Sequence, residues 1–218
     1  MRLFGTIFLS FLILILNGCS QPKRQYLPPE MAENIKSILV LPFDTCPEKT
    51  ENIFFCPVKN IIPGYIEPYA KETMNRLLRL KLVKFSLVYK FKYLSQNEFE
   101  NLMAEILEET SSLPEIIKNL AKKTDTQAVL YGRIYRFKER EGSSFSVREP
   151  ASVAFALVLY DGFTGKILWN GYFDKTQQPL SENILDIRIY KKFKWLTAEE
   201  LASNGLDLVL QTFPLKEE

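Results

Sequence analysis

The stretch "ASVAFALVLYDGFTGKILWNGYF", residues 151–173, decides the fold that we predict for this chain. Its first part, 151–160, is apolar at both odd and even positions, which is typical of a strand buried on both faces. "GKILWNGYF" follows across the turn "DGFTG" and has the composition of a partner strand. "GFTGK" lacks the spacing and the following Ser or Thr of a phosphate-binding loop, so it indicates a hairpin turn.

Three further stretches predict the rest of a sheet. "IKSILVLPF", residues 35–43, is a short apolar run that ends at Pro42 and predicts a buried first strand. "LVKFSLVYKFKY", residues 82–93, alternates between apolar and mainly basic residues, which predicts a half-buried strand with a basic outer face. "TQAVLYGRIYRF", residues 126–137, also has strand character.

Helices are predicted between these strands. An apolar stripe at helical spacing begins at Pro63. Three capping boxes, each a Ser or Thr followed three residues later by Glu, predict the starts of further helices. They are formed by Ser95 and Glu98, by Ser112 and Glu115 (with Pro114 in the first turn), and by Thr197 and Glu200. The predicted fold class is α/β (α+β), with a single mixed β-sheet of about five strands packed with about four helices.

The chain begins with the layout of a secretory signal. One Arg precedes an apolar run over residues 3–16, which is shorter than the about 20 residues of a membrane-spanning helix. The run ends in "LNGC", which resembles the lipobox of bacterial lipoproteins, with a small residue at Gly18 before Cys19. This resemblance implies cleavage before Cys19, a lipid on its sulfur and an acylated amino terminus. An uncleaved membrane anchor with an incidental cysteine is the alternative.

The same resemblance gives a location and a division of the chain. Ser20 is not the aspartate that retains enteric lipoproteins at the inner membrane, so an outer-membrane lipoprotein facing the periplasm is expected. Residues 1–18 are then the signal peptide. Residues 19–34, polar and rich in proline, form a lipidated flexible tether, and residues 35–218 form a single periplasmic α/β domain.

Composition excludes several kinds of function. The chain has no histidine, which excludes Ser-His-Asp and Cys-His catalysis and histidine-based zinc sites. Its net charge of +2 argues against a nucleic-acid-binding domain. No cofactor, metal site or catalytic residue is predicted. A hydrolase using Glu139, Glu141 and Glu149 is the alternative, but these residues lie beside a Gly-Ser-Ser turn, as solvated surface residues commonly do.

The remaining cysteines bracket "CPEKTENIFFC". A disulfide between Cys46 and Cys56 is expected outside the cytosol. In the chain-entropy model, a bridge that closes a loop of this length stabilises the folded protein by about 2–3 kcal/mol. The alternatives are two free thiols and a metal pair, which would lack two further ligands.

"RIYKKFKW", residues 188–195, places cations among aromatic side chains, a combination found at interface centres. The alternative is a surface segment with a buried apolar side and solvated lysines. The residues of this candidate partner surface are Arg188, Tyr190, Lys191, Lys192, Lys194 and Trp195.

Three motifs carry a family resemblance over roughly residues 35–175: "ILVLPF", "AKKTDTQAVLYGRI" and "ALVLYDGFTGKILW". They resemble periplasmic lipoprotein domains related to the curli secretion-channel subunit, lipoprotein activators of penicillin-binding proteins and the amino-terminal domain of TolB. The resemblance implies a non-enzymatic binding or assembly role in secretion, outer-membrane assembly or the regulation of cell-wall synthesis. It also implies an envelope protein as the partner.

We expect Cys19→Ala to accumulate as an unprocessed precursor that does not incorporate labelled fatty acid, because the acceptor sulfur is lost. Metabolic labelling followed by electrophoresis measures this. Labelling at the wild-type level would contradict the lipobox interpretation.

Overall fold

The computed structural model describes residues 35–45, 61–143, 146–177 and 195–214. Within these ranges no helix is both long and apolar enough to cross a membrane. Two single-turn 3₁₀ helices, Val83–Phe85 and Leu210–Thr212, each continue an α-helix. The strands and α-helices in chain order are β1 (Ser37–Val40), β2 (Asp44–Thr45), α1 (Ala70–Leu82), β3 (Lys90–Tyr93), α2 (Gln96–Glu109), α3 (Leu113–Thr124), β4 (Ala128–Lys138), β5 (Glu141–Gly142), β6 (Val147–Glu149), β7 (Ser152–Asp161), β8 (Ile167–Thr176) and α4 (Ala198–Val209).

One mixed sheet organises the described part of the chain. Its strands lie in the order β3-β1-β4-β7-β8. Strands β3, β1 and β4 are parallel, whereas β7 and β8 are antiparallel to their neighbours. Strand β2 pairs with β4 in parallel, and β5 and β6 form a separate small hairpin. The predicted fold class, a mixed sheet with helices, is confirmed.

Helices cover both faces of this sheet. Helices α1 and α4 pack on one face and form the larger core with side chains such as Phe155 and Trp169. Helices α2 and α3 pack on the other face around Val129, Val158 and Tyr160. All residues of β7 are buried, which is the arrangement that its apolar sequence predicts.

The turn between β7 and β8 is the predicted hairpin turn. The Asp161 carboxylate accepts hydrogen bonds from the backbone N–H of Phe163 at 2.9 Å and from the Thr164 hydroxyl at 2.8 Å. Gly165 has φ of 71°, a conformation that favours glycine. Local hydrogen bonds and one glycine therefore fix the turn.

The strand predicted over residues 82–93 is wrong in its first half. Helix α1 runs to Leu82, the 3₁₀ helix Val83–Phe85 continues it, and strand β3 begins only at Lys90. The apolar residues here also fit a helical period, and Leu82, Phe85 and Tyr89 are all buried in the same core. Leu87, which strand alternation predicts to be buried, is instead 98% exposed.

The helix predicted from Pro63 begins later, at Ala70. The preceding residues pair with β4 instead. The Gly64 N–H donates to the Tyr135 carbonyl at 2.9 Å, and the Glu67 N–H donates to the Phe137 carbonyl at 2.9 Å. Sheet hydrogen bonds with a distant strand therefore override the local helical pattern.

Two of the three predicted capping boxes are confirmed. Ser95 with Glu98 caps α2, and Thr197 with Glu200 caps α4, each with both reciprocal hydrogen bonds. Helix α3 begins as predicted, with Pro114 in its first turn, but the Ser112 side chain makes no capping hydrogen bond. Its expected partner forms an ion pair within the helix instead: Glu115 contacts Lys118 at 2.6 Å.

Substituting Gly132 with Ala should destabilise the fold by about 1–3 kcal/mol, the usual cost of overpacking a core. A Cβ at this position would lie 2.5 Å from the buried Phe43 ring. Urea denaturation measures the change. Phe43→Leu in the same chain should recover part of the loss, so the double variant should be more stable than the sum of the two single changes predicts. Additive effects would contradict this contact.

Candidate functional site

A groove of about 900 Å³ opens at the end of the sheet where the parallel strands β1 and β3 finish. We call it the main groove. Its floor includes Val40 and Leu41 after β1, and its sides are the outer surface of α1 and the chain around Tyr93 that leads into α2. Ligands commonly bind in such crevices at the carboxyl ends of parallel strands.

Two side-chain hydrogen bonds hold the main groove in shape. The Asn75 side-chain oxygen accepts from the Phe43 backbone N–H at 2.7 Å, which fixes the chain after β1 to helix α1. Ser95 fixes the other wall, because its hydroxyl caps α2 where that helix begins. The groove is thus set by contacts between elements far apart in sequence.

The α1 wall of the main groove is basic and apolar. It carries Lys71, Arg76 and Arg79, together with exposed apolar side chains at Leu80 and Val83. Cations beside exposed leucine and valine suit a ligand that is both acidic and apolar.

The two arginines of this wall have partners in the structure. The Arg79 guanidinium lies 4.5 Å from the centre of the Tyr93 ring. Arg76 pairs with Glu199 at 2.7 Å, and about half of each side chain is exposed. Exposed pairs of this kind contribute only about 0–1 kcal/mol, so this arginine can change partners at little cost.

A smaller groove of about 360 Å³, the side groove, adjoins the main groove. Pro42, Lys71 and Gln96 line both grooves. Apolar residues of α2, including Phe99 and Leu107, form the far side. The two grooves together make an extended surface that a peptide segment could follow.

An ion pair between the buried Arg133 and the partly exposed Asp44 lies beside the side groove. Arg133 is 1% exposed, and its Nη2 lies 2.9 Å from Oδ2 of Asp44. The Tyr131 hydroxyl donates to the same oxygen at 3.3 Å, and burial raises the pKa of this tyrosine, so it remains a neutral donor. Asp44 and Tyr131 both line the side groove. We did not predict this pair, although Arg133, one of the two arginines within "AVLYGRIYRF", could have indicated it.

A capping box fixes Ser95, a polar residue of the main groove. The Ser95 hydroxyl accepts from the Glu98 N–H at 3.3 Å and donates to its carboxylate at 2.7 Å. Hydrogen bonds from the Ser95 backbone N–H and then from its hydroxyl lower the pKa of the Glu98 carboxyl. Ser95 is therefore not poised as a nucleophile, and Glu98 is held ionised. Among the described residues no group of three Cys, Asp or Glu side chains could hold a metal ion.

The three carboxylates of the hydrolase alternative do not converge in either groove. Glu139 accepts from the Ala198 backbone N–H at 3.0 Å, at the start of α4. Glu149 pairs with Lys138, and Glu141 is exposed opposite Glu149 in the β5–β6 hairpin. None of the three lines the main groove or the side groove.

Most of the other residues singled out from the sequence lie outside the described ranges. Trp195, from the candidate partner surface, is described: its side chain is half-buried, and its carbonyl accepts from the Arg140 guanidinium. The predicted site residues outside the described ranges are Cys19, Cys46, Cys56, Arg188, Tyr190, Lys191, Lys192 and Lys194.

No protein-family profile and no curated protein sequence matches this chain. Solved structures do resemble its fold. The PelC dodecamer from Paraburkholderia phytofirmans has a TM-score of 0.49 and 11% identity, covering 87% of this chain and 94% of the PelC chain. The lipoprotein GNA1162 from Neisseria meningitidis has a TM-score of 0.40 and 17% identity, covering 65% of this chain and 83% of its own.

The carboxyl-terminal domain of LpoB from Escherichia coli has a TM-score of 0.36 and 16% identity, covering 69% of this chain and 96% of that domain. The similar structures thus include lipoproteins, the kind of protein that the sequence motifs resemble. At these identities the similarity concerns the fold alone.

Removing the Asp44 carboxylate should destabilise the protein by about 3 kcal/mol, since it leaves the buried Arg133 guanidinium without this partner. The comparison is Glu199→Ala, which breaks the exposed pair with Arg76 and should cost at most about 1 kcal/mol. Chemical denaturation of Asp44→Ala and Glu199→Ala measures both. An equal loss of stability in the two variants would contradict the expectation that the buried Arg133 needs its carboxylate partner more than the exposed Arg76 does.

Proposed function

We propose that this chain is a non-enzymatic, lipid-anchored envelope protein that binds an acidic, partly apolar segment of a partner protein. The observation that supports this most strongly is the main groove. It is large, has cations and exposed apolar side chains on one wall, and its serine, Ser95, is held by the cap of α2. A concave surface with apolar side chains and a few polar groups is typical of binding sites.

The proposed partner segment follows from the chemistry of the α1 wall. Lys71, Arg76 and Arg79 provide three cationic side chains against one carboxylate, Glu72, on the same wall. Leu80 and Val83 are 61% and 65% exposed and would be covered by apolar side chains of the partner. Acidic and apolar groups within one segment therefore satisfy both parts of the groove.

The proposed location rests on the amino-terminal sequence. A lipid on Cys19 would attach the protein to the outer membrane on its periplasmic side. Residues 20–34 would then link lipid and domain, with a reach of about 50 Å if fully extended at roughly 3.3–3.6 Å per residue. The partner is accordingly an envelope protein, in a secretion, outer-membrane assembly or cell-wall complex, as the family resemblance of the sequence suggests.

A disulfide between Cys46 and Cys56 remains part of the proposal. Thr45 pairs with Ile134, and Ile66 pairs with Phe137, on the same strand β4. Thr45 and Ile66 are therefore roughly 10 Å apart along β4, since three residues of a strand span that distance. A bridge would shorten a loop whose ends the sheet already holds close together.

Photo-crosslinking in the living cell tests the proposed groove. A benzophenone amino acid at position 80, on the groove wall, should give a discrete adduct with one envelope protein. Lys71→Glu with Arg79→Glu in the same chain should remove the adduct, because the wall then repels an acidic segment. The matched controls are the same crosslinker at Ile62, an exposed apolar position outside both grooves, and the charge reversal Arg148→Glu.

The control crosslinker should not yield this adduct, and the control charge reversal should leave the adduct from position 80 unchanged. An adduct that survives the Lys71→Glu and Arg79→Glu changes would contradict recognition by charge. A complete lack of adducts from positions 80, 83 and 107 would contradict the proposed groove itself.

A further inference from the structure

The edge of the sheet opposite the main groove gathers several turns and strand starts. Lys90, at the start of β3, pairs with Ser37 at the start of β1. Ala128, at the start of β4, pairs with Asp161, where the turn between β7 and β8 begins. We call this end of the domain the amino-terminal edge, because the three parallel strands begin there.

Two apolar side chains project from turns at the amino-terminal edge. Leu87, in the turn before β3, is 98% exposed, and Phe163, in the turn after β7, is 66% exposed. Neither belongs to the core clusters of the described domain. The sheet order places three strand spacings between β3 and β7, so the two projections are roughly 15 Å apart.

The same edge is rich in exposed lysines. They flank the two projecting side chains and the starts of the parallel strands. Asp125 is also exposed here and lies 3.9 Å from Lys92, so a cation already faces this carboxylate. The exposed lysines of the edge are Lys36, Lys84, Lys90, Lys122 and Lys166.

The chain enters the domain at this edge. Residue 35 is the first that the structure describes, and β1 begins two residues later. The Lys36 carbonyl accepts from the Lys90 N–H at 2.8 Å, so the point of entry is directly beside β3. Whatever precedes residue 35, including the predicted lipid attachment site, therefore joins the domain next to the exposed leucine and lysines.

From these positions we infer that the amino-terminal edge binds the surface of an anionic membrane. Leu87 and Phe163 enter the headgroup layer, and the surrounding lysines contact lipid phosphates. Projecting apolar side chains combined with lysines are the features by which peripheral proteins bind such surfaces. The carboxyl ends of β1 and β3, from which the main groove opens, then lie away from the membrane, where a partner can reach them.

Vesicle co-sedimentation tests the inference with the mature chain, residues 19–218, carrying Cys19→Ser so that no lipid is attached. The protein should bind vesicles that contain phosphatidylglycerol and should bind phosphatidylcholine vesicles much more weakly. Raised salt should weaken the binding, since exposed charges are screened. Near-ultraviolet circular dichroism and thermal melting check that each variant remains folded, which is expected because every altered side chain is exposed.

Two double variants separate the apolar and the charged contributions. Leu87→Ser with Phe163→Ser should weaken binding on the order of tenfold or more, because two buried apolar contacts are lost. Lys90→Gln with Lys166→Gln should weaken binding by about fivefold per lysine and reduce the salt dependence. Ile62→Ser and Arg148→Gln, exposed positions beside the carboxyl-terminal half of β4, are the matched controls and should bind as the wild type does.

Three results would overturn the inference. The first is equal binding to both kinds of vesicle. The second is an equal loss in the control variants, which would show that no particular edge is used. The third is unchanged vesicle binding by the Leu87→Ser, Phe163→Ser variant together with altered self-association in ultracentrifugation, which would make this edge a protein interface.

Discussion

Strand β7 is buried along its whole length, and this burial fixes where the other elements of the described domain can pack. It has β4 on one side and β8 on the other, and helices lie over both faces of the sheet. Its backbone hydrogen bonds are satisfied by two long antiparallel neighbours, and its side chains are all buried. Phe155 contributes to the core under α1 and α4, whereas Val158 contributes to the core under α2 and α3. A single buried strand thus joins two hydrophobic cores, so the two helical layers cannot be arranged independently.

The main groove is a consequence of how the parallel part of the sheet ends. Beyond β4 the sheet continues with the short strands β1, β2 and β3, of which β1 and β3 finish at the same edge. Helix α1 leaves this edge on one face and α2 on the other, which opens a crevice between them. The Asn75 and Ser95 side chains hold its two walls by hydrogen bonds to backbone groups. Because the walls of the cleft are already held in place, little conformational entropy is lost there when a segment binds, which favours recognition.

The two ends of the sheet differ in chemistry, and this difference gives the domain a direction. The groove end combines three cations with a concave apolar surface, which suits a specific segment. At the opposite end, Leu87 and Phe163 are exposed in turns among lysines, which suits an extended surface. The chain enters the domain at the start of β1, so the carboxyl end of this strand, where the groove opens, is the end furthest from the point of entry along the strand.

The central hairpin, two of the capping boxes and the fold class could be predicted from the sequence, because each depends on a local pattern. These patterns are an apolar run, a turn with glycine, and a serine or threonine three residues before a glutamate. The sequence also determined the lack of histidine chemistry, which is a matter of composition. Tertiary contacts placed residues 64–67 against β4, since hydrogen bonds to that strand outweighed the helical pattern of this segment. They also made residues 82–89 turn rather than extend, since burial in the core outweighed the strand alternation. The groove and the Arg133–Asp44 pair could likewise not be predicted from the sequence. Asp44 meets Arg133, and the chain after β1 meets helix α1, only when segments far apart in the chain have packed together.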